Sequence, residues 1–118
     1  NDLTQYIMAA DRGNVAVQNL YNHYNPAVIR MIWHTARACS TEGIEVSVCG
    51  EAASDTQFLF LLAGMGIRKV SVGSSLVGQV KHNICTMKID SIADKIHEIL
   101  NMEDALQIQE RMRYLKNE

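Results

Sequence analysis

The chain has 118 residues, 47% hydrophobic and 20% charged, which is enough for one globular domain at most. Its net charge of −2 excludes the broad basic surface that nucleic acid requires, and no apolar run is long enough for membrane insertion. Cys39, Cys49 and Cys85 form neither a disulfide framework nor a Cys-x-x-Cys zinc pair, and no signal peptide is visible, so a reducing, cytoplasmic setting is expected.

Asn1 to Tyr6 is a polar opening with no strand ahead of it. The start at Asn1 rather than Met leads us to expect a piece of something longer. Asp2 or Thr4 is suited to cap a short helix reaching Ala9 or Ala10. Asp11-Arg12-Gly13-Asn14 then breaks the pattern as a turn, because Gly13 and Asn14 tolerate positive φ. Asn25-Pro26 marks a firm helix start, with Asn as cap and Pro in the first turn. Val28, Ile32, Thr35, Ala36 and Cys39 fall on one helical stripe, which Ile29 and Trp33 widen. Arg30 and Arg37 fall outside it, and Gly43 ends the helix as a left-handed cap.

Ile44 to Cys49 reads as a strand with a thiol at its carboxyl end. In α/β proteins, chemistry is placed at that end of a strand. Taken alone, Cys49 is either a small buried hydrophobe or a positioned thiol. Ser54-Asp55-Thr56-Gln57 has capping-box spacing with Ser54 as cap. Phe58 to Ala63 is apolar nearly all round, hence a short buried helix, closed by Gly64 and Gly66. Lys69 to Val72 is a second strand, and Leu76, Val77, Val80 and Ile84 mark the helix after it. Strand, helix, strand, helix with brief connections predicts a parallel sheet. In the tail, Ile92, Ile96, Ile99 and Leu100 mark one amphipathic helix, and Ala105, Ile108, Met112 and Leu115 another.

The expected class is therefore α/β. Two or three parallel strands cannot bury both sheet faces or protect both edges. A closed eight-stranded α/β barrel takes about 250 residues, so the chain reads as the C-terminal part of a (β/α)8 TIM barrel with a terminal helical hairpin. Residues 1–118 form one incomplete domain, with 1–87 as the last barrel βα units and 88–118 as C-terminal helices. The open edge, with uncovered apolar faces at Trp33 and Phe58, predicts partial unfolding or self-association of the chain alone.

Three segments point further. They are Asn1-Asp2-Leu3-Thr4-Gln5-Tyr6 with Asp11-Arg12-Gly13-Asn14; Asn25-Pro26-Ala27-Val28-Ile29-Arg30; and Val48-Cys49-Gly50-Glu51 running on to Asp55. In this order and spacing they resemble the phosphoenolpyruvate-binding domain of Enzyme I of the bacterial sugar phosphotransferase system, over roughly the first 75 residues. The Asn-Asp-Leu-Thr-Gln and Cys-Gly-Glu motifs also occur in pyruvate phosphate dikinase and phosphoenolpyruvate synthase, while the Asp-Arg-Gly-Asn loop favours Enzyme I.

The resemblance implies a homodimeric (β/α)8 barrel that binds phosphoenolpyruvate and Mg²⁺ and releases pyruvate. The phosphoryl group passes to a histidine on a separate N-terminal domain and then to the carrier protein HPr. By the same resemblance Asn1 and Asp2 sit at the barrel mouth, Asn1 holding substrate and Asp2 also ligating Mg²⁺. Arg12 grips the anionic substrate, and Cys49 protonates the enolate carbon. Residue chemistry agrees: Mg²⁺ prefers one or two carboxylates plus substrate oxygens, and a guanidinium matches phosphate or carboxylate. A thiol is still protonated at neutral pH and can act as an acid. His23, His34, His82 and His97 match no phosphorylatable histidine of the family, so the chain alone is expected to be inactive. A dikinase or synthase piece, or a non-catalytic module on the same scaffold, is the rival reading.

Overall fold

The computed structural model describes residues 1–116. Helix α1 (Asp2–Met8) opens the chain. Asn1, not Asp2 or Thr4, occupies its cap position, and Thr4 is instead buried. Ala9 closes α1 in the left-handed region at φ 49°, and the Ala10 N–H returns to the Gln5 carbonyl. The Asp11–Asn14 turn does not use positive φ. Its side chains make it instead: Asp11 Oδ1 accepts from the Gly13 N–H, and Asn14 Oδ1 from the Ala16 N–H. A short 3₁₀ turn, Gln18–Leu20, follows.

Helix α2 (Pro26–Glu42) begins as its residues dictate. Asn25 Oδ1 accepts from the Ala27 N–H, Pro26 lies in the first turn, and Gly43 ends the helix at φ 67°. Val28, Ile29 and Ala36 are its buried apolar residues beyond Pro26, while Thr35 faces solvent and Cys39 is half-buried. Arg30 does lie on the outer side, yet it donates to the carbonyls of Leu100 and Met102.

The strands are shorter than their sequence signals. β1 (Ser47–Cys49) and β2 (Lys69–Ser71) form a two-stranded parallel sheet, pairing Ser47 with Lys69, Val48 with Val70 and Cys49 with Ser71. Ile44 to Val46 stay outside the ladder, because a strand extends only as far as its partner reaches. Between the strands lie a 3₁₀ turn, Glu51–Ser54, and α3 (Thr56–Gly64). The cap of α3 is Asp55 rather than Ser54: Asp55 Oδ1 accepts from the N–H groups of Gln57 and Phe58. Ser54 Oγ turns back to the Glu51 carbonyl.

Helix α3 is the centre of the core. Phe58 through Leu62 are all buried, including Phe58, which is 1% exposed rather than uncovered. Trp33 is half-buried and meets His97 edge-on. The Ser74–Leu76 turn leads into α4 (Val77–Thr86), of which only Val80 is buried. The tail is three helices and not a hairpin of two: α5 (Ile89–Ala93), α6 (Ile96–Leu100) and α7 (Ala105–Lys116). Ile92, Ile96, Ile99, Ile108, Met112 and Leu115 are buried, as their spacing predicts. α5 and α7 pack on α3, and α6 on α2. Gly64 is what lets α5 approach, since a Cβ there would lie 2.8 Å from Ile92 Cγ2. Arg111 and Glu98 join α7 to α6 through a two-pronged ion pair, at 2.6 and 3.2 Å.

The architecture is thus a helix-rich α/β fold around a small parallel sheet. Among the described residues no helix is long and apolar enough to cross a membrane.

Candidate functional site

The carboxyl end of β1 delivers Cys49 to an exposed position, and Gly50 then turns the chain at φ 92° and ψ −170°. That backbone conformation belongs essentially to glycine. It leaves the Gly50 α-carbon bare beneath the side chain of Asn1: a Cβ there would lie 3.1 Å from both Cγ and Nδ2 of Asn1. Asn1 also meets Tyr21, whose hydroxyl donates to the Asn1 carbonyl at 3.0 Å and to Oδ1 at 3.2 Å. Burial pushes the Tyr21 phenol up; Arg12 nearby pulls it down, and Glu51 and Asp2 raise it again, leaving it above the ordinary tyrosine value. It therefore stays a donor at neutral pH.

A cavity of about 360 Å³ opens beside these groups. Asn1, Asp2, Arg12 and Cys49 all line it, so the four residues singled out by the sequence share one space. The Arg12 guanidinium reaches Glu51 at 3.9 Å, an ion pair between exposed groups and hence weak. Asp2 brings the cavity's carboxylate and Asn1 its carboxamide. Among the described residues no cluster of three or more His, Cys, Asp or Glu forms a metal cage.

Two residues that shape the site escaped the sequence reading. Tyr21 is one, and its bonds to Asn1 span 20 residues. His23 is the other: it lines the cavity, and its Nε2 lies 3.3 Å from Asp55 Oδ2. Burial pushes the Asp55 carboxyl up. Hydrogen bonds from His23, the Phe58 and Gln57 N–H groups and nearby Tyr24 more than offset this and hold it below the ordinary value. The carboxylate is therefore ionised at neutral pH, and the His23 Nε2–H donates to it. Phe58 meets the imidazole edge-on at 4.6 Å and Tyr24 lies tilted at 4.7 Å, fixing the ring. The Tyr24 hydroxyl is buried near Asp55, and burial and the Asp55 charge raise its pKa strongly. No local pattern announces these contacts, because Asp55 lies 32 residues beyond His23.

Chemically, the site offers a cation, a carboxylate, a carboxamide and a thiol around one half-open space. Those groups suit a small, multiply charged anion and one proton transfer.

Comparison with known proteins gives one answer. Residues 1–89 match the family model for the PEP-binding domain of PEP-utilising enzymes. A phosphoenolpyruvate-protein phosphotransferase of Borreliella burgdorferi is 39% identical over 103 residues, covering 87% of this chain and 18% of that protein. The corresponding protein of Latilactobacillus sakei is 38% identical, over 86% of this chain and 18% of its own length. A phosphoenolpyruvate synthase of Pyrococcus furiosus is 40% identical over 69% of this chain and 10% of its own. The chain thus spans less than a fifth of each of these relatives.

Proposed function

Because this chain belongs to the PEP-utilising enzymes, through their PEP-binding domain, we propose that it forms the last part of the (β/α)8 barrel of a phosphoenolpyruvate-protein phosphotransferase of the Enzyme I kind. The observation that carries this reading is the shared cavity: Asn1, Asp2, Arg12 and Cys49 border it together. The likeness to two phosphotransferases runs over 87% and 86% of the chain, against 69% for the synthase, and this longer match supports the phosphotransferase over the dikinase or synthase reading.

In this role Arg12 exchanges its loose pairing with Glu51 for an oxygen pair of phosphoenolpyruvate. Asn1 orients the substrate through its carboxamide. Asp2 would hold Mg²⁺: a single carboxylate suits an ion that keeps waters and takes substrate oxygens. When bound, that ion supplies charge neutralisation at the phosphoryl oxygens. Departure of the phosphoryl group leaves an enolate. The Cys49 thiol gives its proton to the methylene carbon: the enolate's electron pair forms the C–H bond, and the S–H pair stays on sulfur as thiolate. The phosphoryl group travels to a histidine on a separate N-terminal domain and then to HPr, and the complete barrel works as a homodimer in the cytoplasm.

The test is Cys49→Ser in the full-length protein. A positioned acid contributes roughly 10²–10⁴-fold, so pyruvate formation should fall by that order. Melting temperature should barely change, and HPr should still be phosphorylated by an already phosphorylated N-terminal domain. Pyruvate formation at the wild-type rate would overturn the reading.

A further inference from the structure

We propose that Tyr21 is a positioning residue for phosphoenolpyruvate: its hydroxyl bonds both the backbone carbonyl and the side chain of Asn1 and so holds the Asn1 carboxamide in the rotamer that faces the cavity. This rests on the function proposed above. The geometry comes from three contacts. The Tyr21 hydroxyl sits 3.0 Å from the Asn1 carbonyl and 3.2 Å from Oδ1, so one proton is shared between two oxygens of the same residue. Gly50 packs against the same carboxamide, where even a Cβ would crowd Cγ, Nδ2 and Oδ1 at 3.1–3.3 Å. Asn1 also lines the cavity. With Oδ1 engaged by a donor, the Nδ2 hydrogens are the amide's unspent polar groups, and they are donors.

Orientation decides the sign of the interaction. An asparagine amide has an acceptor end and a donor end of nearly equal size. A phosphate or carboxylate oxygen is attracted by the NH₂ end and repelled by the carbonyl end. An unanchored side chain populates several rotamers and loses affinity by the fraction wrongly turned. Tyr21 suppresses the wrongly turned rotamers, since its hydroxyl ties the Asn1 side chain to the Asn1 backbone carbonyl and a side chain swung away from the cavity would lose that bond. The hydroxyl proton must be present for this, and burial of the phenol helps to keep it there.

The experiment uses Tyr21→Phe in the full-length protein, alone and combined with Asn1→Ala, reading phosphoenolpyruvate affinity, kcat and melting temperature. Phe keeps the ring and removes only the hydroxyl. A neutral hydrogen bond is typically a factor of a few in an equilibrium, so Tyr21→Phe should weaken phosphoenolpyruvate binding about threefold to tenfold. The melting temperature should stay unchanged and kcat should change much less than affinity. In the Asn1→Ala background, Tyr21→Phe should have no further effect, because it acts through an amide no longer present. Equal losses in both backgrounds, or an unchanged affinity in Tyr21→Phe, would overturn the proposal while leaving the function standing. Wild-type affinity in Asn1→Ala would overturn the Tyr21 role together with the function assigned to the cavity.

Discussion

Gly50 carries two demands at once: a backbone conformation reserved for glycine, and an empty α-carbon under Asn1. Gly50→Ala meets neither. Strain in that region costs about 1–3 kcal/mol, so chemical denaturation should show a loss of that order. Phosphoenolpyruvate affinity should drop with it as Asn1 is displaced. A stable Gly50→Ala protein with full affinity would show that the two residues do not depend on each other. Arg12 makes a different prediction, since its loss removes a charge and leaves the fold alone. Arg12→Ala should weaken phosphoenolpyruvate binding by about 1.5–3 kcal/mol, the value of charge-assisted hydrogen bonds. Its Michaelis constant in the full-length protein is the measurement, and an unchanged one removes Arg12 from the site. The four cavity residues were legible because the motifs that carry them are contiguous in sequence. Tyr21 and His23 were not, since their partners lie 20 and 32 residues away.

At the level of the element, Asp55 is both the cap of α3 and the anchor of His23. Its folded-state pKa is depressed, so its charge stabilises the fold above the unfolded value of 3.8 and ceases to as pH falls through the lower folded value. Asp55→Asn keeps a capping side chain but carries no charge. Urea denaturation between about pH 5 and about pH 2 should therefore show a shallower loss of stability on acidification in Asp55→Asn than in the native chain. Parallel pH curves would mean that the charge contributes nothing. The same element shows what local reading can do. Asn25, Pro26 and Gly43 bounded α2 correctly because each acts on its own backbone. Ser54 and Asp55 are adjacent residues that both cap well, and the spacing to Gln57 favoured the wrong one. Only His23, packed from an earlier loop, distinguishes them. Strand length failed for a like reason, since β1 ends where β2 stops pairing with it.

For the molecule as a whole, β1 and β2 pair only with each other among the described residues, which leaves an unpaired edge on either side. Val77 and Ile84 on α4 are 44% and 45% exposed. Stickiness therefore arises from α4 and the sheet edges, and not from Phe58, which the core encloses. The chain alone should self-associate, with a sedimentation-average mass that rises with concentration. A sharply monomeric, cooperatively melting species would contradict this. The packing of the tail has another consequence. The matched family segment stops at residue 89, yet Ile92, Ile108, Met112 and Leu115 belong to the same core as α3, and Arg30 grips the turn after α6. The segment that the family model matches and the unit that must condense to hold β1 in place are therefore not the same length. A boundary drawn at residue 89 would slice through one continuous interior, leaving the scaffold behind Cys49 with its inner wall missing.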